Sequence, residues 1–177
     1  MDHRERLMGV LMRAHFVAAT ENNNVSSAVV KQVAAVGKTF PEAIAAALLT
    51  LGGVHAPVTQ ARHILFEAED EDIRVLLQQG NKIPGYGNSF FKGAIDPAWN
   101  EMDATLLQCY PAIYERLYRI SDIITQEKNV RIFPNAAAYT AIAAQLMEVA
   151  WHTEMALVIM GRMPAWTNQF EEAAYRG

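Results

Sequence analysis

Helical periodicity dominates this sequence and most constrains its fold. Segments with apolar residues at helical spacing follow one another, each bounded by Gly, Pro or Asn. The predicted helices cover residues 6–19, 26–36, 41–51, 56–79, 97–110, 111–129, 135–149 and 150–175. Segment 56–79 is one helix or two meeting near the acidic stretch 67–72, and the last segment is two helices split near Met163 and Pro164. Only a short piece around 130–133 has a strand-like pattern, so the predicted fold class is all-α.

Several predicted helices are apolar on more than one face, as in "AIAAALLTL" and "AAYTAIAAQLMEVAW". Helices of this kind are buried in a large core or in a subunit interface. A chain of 177 residues offers limited cover for many of them. The pattern therefore predicts a homodimer or a higher symmetric oligomer.

Charge and composition exclude several classes of partner. The formal net charge is -4, and no Lys/Arg run interleaved with aromatics occurs, so no nucleic acid partner is expected. No apolar run reaches the roughly 18 residues that span a membrane, and the charged "MDHRER" start lacks the features of a signal peptide. With the single Cys109 expected to pack in the core, a cytoplasmic protein is predicted.

The histidines offer one candidate ligand-binding residue. His3 and His15 flank an amphipathic helix, which favours surface or packing positions. His55 and His63 lie eight residues apart with no Cys, Asp or Glu to complete a ligand set, so no metal site is predicted. His55 follows two glycines at an expected helix N-terminus, where an anionic ligand would be favoured. A capping or packed histidine is the alternative.

The glycine- and proline-rich segment 80–99 interrupts the helices, with the sequence "GNKIPGYGNSFFKGAIDPAW". It lacks the Gly-Lys-Ser/Thr ending of a P-loop. Its glycines would still allow backbone amides to approach a ligand closely. By pattern alone it is a candidate ligand-binding loop.

Three separated stretches agree with one family in both order and spacing. They are "NNVSSAVVKQVAAVGKTFPEAIAAALLTLGGVHAPVTQA", "KIPGYGNSFFKGAIDPAW" and "FPNAAAYTA…GRMPAW". Together they run from Asn22 to Phe170, and they resemble the citrate synthase and citryl-CoA lyase family. The resemblance implies a citrate-synthase-like multi-helical fold that corresponds to the C-terminal half of such an enzyme and is truncated at the N-terminus.

The resemblance also implies a division of the chain. Residues 1–79 are similar to the large domain and include its dimerisation helices, so the predicted oligomer contact comprises 6–19 and the helices between Ser26 and Leu51. Residues 80–150 are similar to the small domain, with the CoA-binding loop. Residues 151–177 resemble the C-terminal helices that return to the large domain.

In the family, the segment equivalent to 80–99 wraps the CoA end of the substrate. The resemblance therefore implies a CoA ester as the candidate ligand, with no required cofactor. The positions it assigns to CoA contact are Ile83, Pro84, Gly85, Tyr86, Gly87 and Lys92.

The family's two principal catalytic positions are changed. Asn88 replaces the histidine that polarises the 2-oxo acid carbonyl, and Asn cannot titrate near neutrality. Ala137 replaces the aspartate that takes a proton from the acyl-CoA methyl group, and an alanine cannot accept a proton. His55, which in the family stabilises the enol, is retained.

The substrate-binding positions are partly retained. Arg162 stands where the family binds the oxo-acid carboxylate, and Trp166 follows it as in the family. Glu21 stands in place of an upstream histidine, and Ala98 in place of an arginine. His55 and Arg162 could equally persist because they pack or hold helix ends.

Two functions of different classes follow from this pattern. The first is a catalytically degenerate pseudoenzyme that acts through an unidentified protein partner or as a structural oligomer. The alternative is an active or ligand-binding protein of the citrate synthase or citryl-CoA lyase type, which still takes an acyl-CoA or a 2-oxo acid.

Overall fold

The computed structural model describes residues 2–21, 24–51, 56–88 and 90–175, and these residues form an all-α fold. The helices are α1 (His3–Glu21), α2 (Val25–Ala35), α3 (Phe40–Leu49), α4 (Val58–Phe66), α5 (Asp70–Gln78), α6 (Asn100–Cys109), α7 (Pro111–Lys128), α8 (Ala136–Leu146) and α9 (Met155–Tyr175). Short 3-10 turns occur at Pro97–Trp99 and Trp151–Thr153.

Local capping signals explain where several helices begin. The side-chain oxygen of Asn24 accepts a hydrogen bond from the Ser27 amide at 3.1 Å, in the first turn of α2. Segment 56–79 is two helices, and the second of them begins where the Glu69 amide donates to the Asp72 carboxylate at 3.0 Å. Pro111 occupies the first position of α7, where its missing N–H costs nothing.

Helix α8 lies at the centre of the larger hydrophobic core. All eight residues from 137 to 144 are buried, so the chain itself covers a helix whose sequence is apolar on every side. A second, smaller cluster surrounds Trp166 of α9 and includes Val30 of α2 and Ala43 and Ala47 of α3. Helix α9 contributes Leu157 and Val158 to the larger core and Trp166 to the smaller cluster, so it connects the two parts of the interior.

The expectation of a strand around 130–133 is wrong for the described residues. Tyr86 and Pro134 form an isolated antiparallel bridge, and no continuous strand develops on either side of it. The bridge forms because the glycine-rich segment lies along the extended residues before α8. Its glycines and Pro134 do not sustain a longer ladder.

The predicted break near Met163 and Pro164 is also wrong, since α9 continues through Pro164. Proline removes one hydrogen bond from a helix interior, here the bond to the carbonyl of Met160. Pro164 is exposed and Met160 is 58 % exposed, so this carbonyl lies on the solvent side. The opposite face of α9 packs on α1 and α2, which keeps the helix continuous.

Within the described part of the chain, no helix is long and apolar enough to cross a membrane. The division at residues 79 and 150 stays a prediction.

Candidate functional site

The glycine-rich segment is held against the beginning of α8 by Asn135. The Asn135 amide donates to the Gly85 carbonyl at 2.9 Å, and its side-chain Nδ2 donates to the Gly87 carbonyl at 2.8 Å. The same side chain caps α8, because its Oδ1 accepts from the Ala137 amide at 2.9 Å. One asparagine thus brings the segment predicted to bind CoA next to Ala137, the position that the resemblance assigns to the family's base.

Close packing explains why Gly85 is a glycine. Its φ of +88° is unfavourable for residues with a side chain. A Cβ atom there would lie 3.0 Å from the Cβ of Ala61 and 3.1 Å from that of Ala138. The backbone at this position therefore touches α4 and α8 directly.

The other residues predicted to contact CoA divide into buried and accessible ones. Ile83 and Tyr86 are buried, and the Tyr86 hydroxyl donates to the Leu117 carbonyl at 2.8 Å. Burial raises the pKa of Tyr86 well above its ordinary value. Pro84 and Gly87 are half-buried, and Lys92 is exposed. Ile83 and Tyr86 hold the segment in place, which leaves Lys92 as the accessible cation.

The side chain of Asn88 is bonded within its own segment. Its Oδ1 accepts from the Phe90 amide at 2.8 Å, and its Nδ2 lies 3.4 Å from Oδ2 of Asp96. Asp96 is buried and accepts from the Ala98 amide at 3.0 Å. These contacts give Asn88 and Asp96 a role in shaping the segment.

Ala137 lies in the first turn of α8 and is 3 % exposed. Its neighbours on both sides, Ala136 and Ala138, also lack functional groups. The position that the resemblance assigns to the family's base is therefore an apolar and buried part of the core.

Arg162 is a buried guanidinium without a carboxylate partner among the described residues. The residue is 5 % exposed, and its Nη1 donates to the Ser26 hydroxyl at 3.0 Å. Its Nε has no hydrogen-bond partner in residues 2–21, 24–51, 56–88 and 90–175. Burial lowers the pKa of Arg162 to about 10. A cation in such a place favours an anion beside it.

His15 is the residue that the sequence did not single out. It is fully buried in α1, and its Nε2 lies 2.9 Å from the Thr140 hydroxyl of α8. Its ring meets Trp99 edge-on, with 5.0 Å between the ring centroids. The available signal was its helical spacing to Leu7 and Leu11, which are buried on the same face.

Gly161 places His15 next to Arg162. A Cβ atom on Gly161 would lie 2.5 Å from the His15 Cβ, so α1 and α9 cross in direct contact there. Thr140 follows Ala137 by one helical turn on α8. Asn135, Ala137, Thr140, His15 and Arg162 therefore form one continuous neighbourhood.

Two assigned positions, Glu21 and Ala98, add little to this neighbourhood, and a third is not described. His55 lies outside the described residues. Glu21 is exposed at the end of α1, and Ala98 is half-buried in the 3-10 turn. No three His, Cys, Asp or Glu side chains within residues 2–21, 24–51, 56–88 and 90–175 could hold a metal ion together.

The fold and this neighbourhood define an all-α domain with a glycine-rich loop at the start of a central buried helix. The family described as "Citrate synthase, C-terminal domain" matches residues 2–176. The chain belongs to the citrate synthase family. No curated protein matches it significantly.

Solved structures from three organisms share the fold. Citryl-CoA lyase from Hydrogenobacter thermophilus is 22 % identical with a TM-score of 0.79, over 99 % of this chain and 71 % of that one. Citrate synthase from Thermotoga maritima is 20 % identical with a TM-score of 0.72, over 92 % and 48 %. ATP citrate lyase from Methanosaeta concilii is 14 % identical with a TM-score of 0.78, over 97 % and 31 %. At these identities the likeness establishes the fold.

Proposed function

We propose that this protein is a catalytically degenerate member of the citrate synthase family that acts by protein interaction or as a structural oligomer. The observation that carries the proposal is Ala137, a buried alanine flanked by Ala136 and Ala138 where the family's base would stand. Asn88 supports it, because its side chain is bonded to Phe90 and Asp96.

The size of the catalytic loss supports the same function. A general acid or base contributes about 10²–10⁴-fold to a rate. Loss of two such groups raises the barrier by about 5 kcal/mol or more if their effects add. We expect no detectable condensation of acetyl-CoA with oxaloacetate and no cleavage of citryl-CoA by the purified protein. Turnover of either substrate above that of an Ala137→Val control would refute the proposal.

Exposed apolar residues on α2 and α3 support a symmetric homodimer. Val36, just after α2, is 74 % exposed, and Leu49 at the end of α3 is 87 % exposed. Large exposed apolar side chains are typical of interaction surfaces. Light scattering should give about twice the monomer mass of 19.7 kDa. The Leu49→Glu variant should give the mass of a single monomer. A monomeric wild-type protein at micromolar concentration would contradict this.

Arg162 favours a second function, the binding of a carboxylate or a CoA ester without turnover. Its buried guanidinium donates to the neutral Ser26 hydroxyl. Its Nε–H has no acceptor among the described residues and is available to donate to an anion. One similar structure, an ATP citrate lyase from Methanothrix soehngenii, is described as a complex with citrate and coenzyme A.

Thermal unfolding with malate, citrate or CoA tests the second function. A ligand present at a hundred times its Kd should raise Tm by about 5–10 °C. The increase should be absent in Arg162→Met and retained in the matched surface variant Arg74→Met. No increase with any of these compounds would leave the interaction function alone.

A further inference from the structure

The hydrogen bonds of His15 define its tautomer. The Thr140 hydroxyl donates its single proton to the Ala136 carbonyl at 2.7 Å, so its oxygen can only accept from His15. His15 Nε2 therefore carries the proton, and Nδ1 has a free lone pair. Nδ1 is buried and has no hydrogen-bond partner within the described part of the chain.

Among the described residues, one positive charge lies in the surroundings of His15. From α9, Arg162 lies close enough to act on His15, and burial together with this guanidinium lowers the pKa of His15 well below its ordinary value. The other neighbours of His15 are Trp99 of the 3-10 turn, Thr140 of α8 and Gly161 of α9. None of these residues carries a charge. Two titratable groups lie on the far side of the Trp99 contact. Tyr139 is stacked on Trp99, and Asp103 accepts from the Tyr139 hydroxyl at 3.0 Å.

An anion at Arg162 would reverse this balance. The guanidinium is the charge that opposes protonation of His15, and an anion beside it neutralises that opposition. A protonated His15 can then donate from Nδ1, which accepts no hydrogen bond in the described structure. The proton would come from solvent.

We propose that His15 determines the charge of the Arg162 site, taking up one proton when an anion binds and releasing it when the anion leaves. This inference rests on the proposed binding of a carboxylate at Arg162. It makes His15 a positioning residue that adapts a singly charged site to more highly charged ligands, such as a dicarboxylate.

Calorimetry with malate at pH 6, 7 and 8 tests the proposal, in two buffers with different heats of ionisation. The carboxyl groups of malate are essentially ionised across this range, so they contribute little of the proton exchange. We expect close to one proton taken up per malate at pH 6 and close to none at pH 8. The affinity should rise as pH falls, by up to about tenfold per pH unit.

Two variants separate the source of the proton. His15→Asn keeps a donor for Thr140 and should bind malate with no proton uptake and with an affinity that is independent of pH. His63→Asn removes an exposed histidine that pairs with Glu67 at 2.7 Å, and it should behave as wild type. Proton uptake that persists in His15→Asn would overturn the proposal.

Fluorescence of Trp99 gives a readout that does not require the His15→Asn variant. In a Trp151→Phe background the emitting residues are Trp99 and the buried Trp166. Protonation of His15 against the Trp99 ring should quench the Trp99 part of the emission, and malate should move this quenching to higher pH. Binding without proton uptake in wild-type protein would refute only this inference. An absence of malate binding at all three pH values would refute the carboxylate-binding function and this inference with it.

Discussion

Two arginines in this chain, Arg62 and Arg162, have opposite surroundings. Arg62 of α4 has a side chain that is 22 % exposed, and its donors contact Gln145 at 2.7 Å, the Val149 carbonyl at 2.9 Å and Glu154 at 2.5 Å. Arg162 of α9 is more deeply buried and donates only to the Ser26 hydroxyl among the described residues.

The difference separates a structural charge from one that the fold does not require. Arg62 neutralises Glu154, whose side chain is fully buried, and it joins the end of α8 to the start of α9. Desolvation of a charge costs several kcal/mol, and only a well-placed partner offsets this cost. Arg162 has no such partner in the described structure, so no carboxylate of the fold offsets the desolvation of its charge.

Replacing Arg62 should have the largest effect. Arg62→Met leaves Glu154 buried and unpaired, which should lower the free energy of unfolding by about 3–5 kcal/mol. Urea unfolding followed by circular dichroism measures the loss. Adding Glu154→Leu should restore most of it, because the unpaired charge is then removed. A double variant as unstable as the single one would show that Arg62 acts through packing.

Adding volume where α1 and α9 cross, beside Arg162, should destabilise the protein by an intermediate amount, because the two helices are in direct contact there. Gly161→Ala places a Cβ atom 2.5 Å from that of His15 and should cost about 1–3 kcal/mol. Gly9→Ala is the matched control within a helix, where the nearest atom is 3.5 Å away on the flexible Arg13 side chain. It should stabilise the protein by up to about 1 kcal/mol. Equal unfolding midpoints for the two variants would mean that this crossing is loosely packed.

Replacing Arg162 should have the smallest effect on stability. Arg162→Met exchanges an unpaired buried charge for an apolar chain of similar length, so the free energy of unfolding should change by less than about 1 kcal/mol. The same urea titration measures it. A loss comparable to that of Arg62→Met would mean that the fold depends on this charge and would remove the distinction between the two arginines.

Most helix positions could be predicted because the signals that begin and end a helix act within one turn. Asn24, Pro111 and Asn135 mark the starts of α2, α7 and α8, and the acidic stretch 67–72 contains the start of α5. Pro164 misled the prediction because its effect depends on which face of α9 is exposed. That face is defined only when α1 and α2 pack against the helix.

The candidate site was predictable in part. Asn88, Ala137 and Arg162 were assigned by the resemblance to the citrate synthase family, because its motifs occur here in the same order along the chain. The bonds of Asn88 to Phe90 and Asp96 were not foreseen, because an asparagine side chain is equally able to bind a ligand or its own backbone. His15 was not selected because its partner Thr140 lies 125 residues away in sequence.

By itself, the sequence determined the helical class, most helix ends and the family, because periodicity, caps and motif order are all local or linear properties. Only the tertiary structure decided which polar groups have partners. Arg62 and Arg162 have the same side chain on similarly apolar helices. Arg62 contacts Glu154, whereas Arg162 donates, among the described residues, only to Ser26. The physical reason is that the free energy of a buried charge depends on groups brought to it from distant segments, and no local pattern encodes which groups those are.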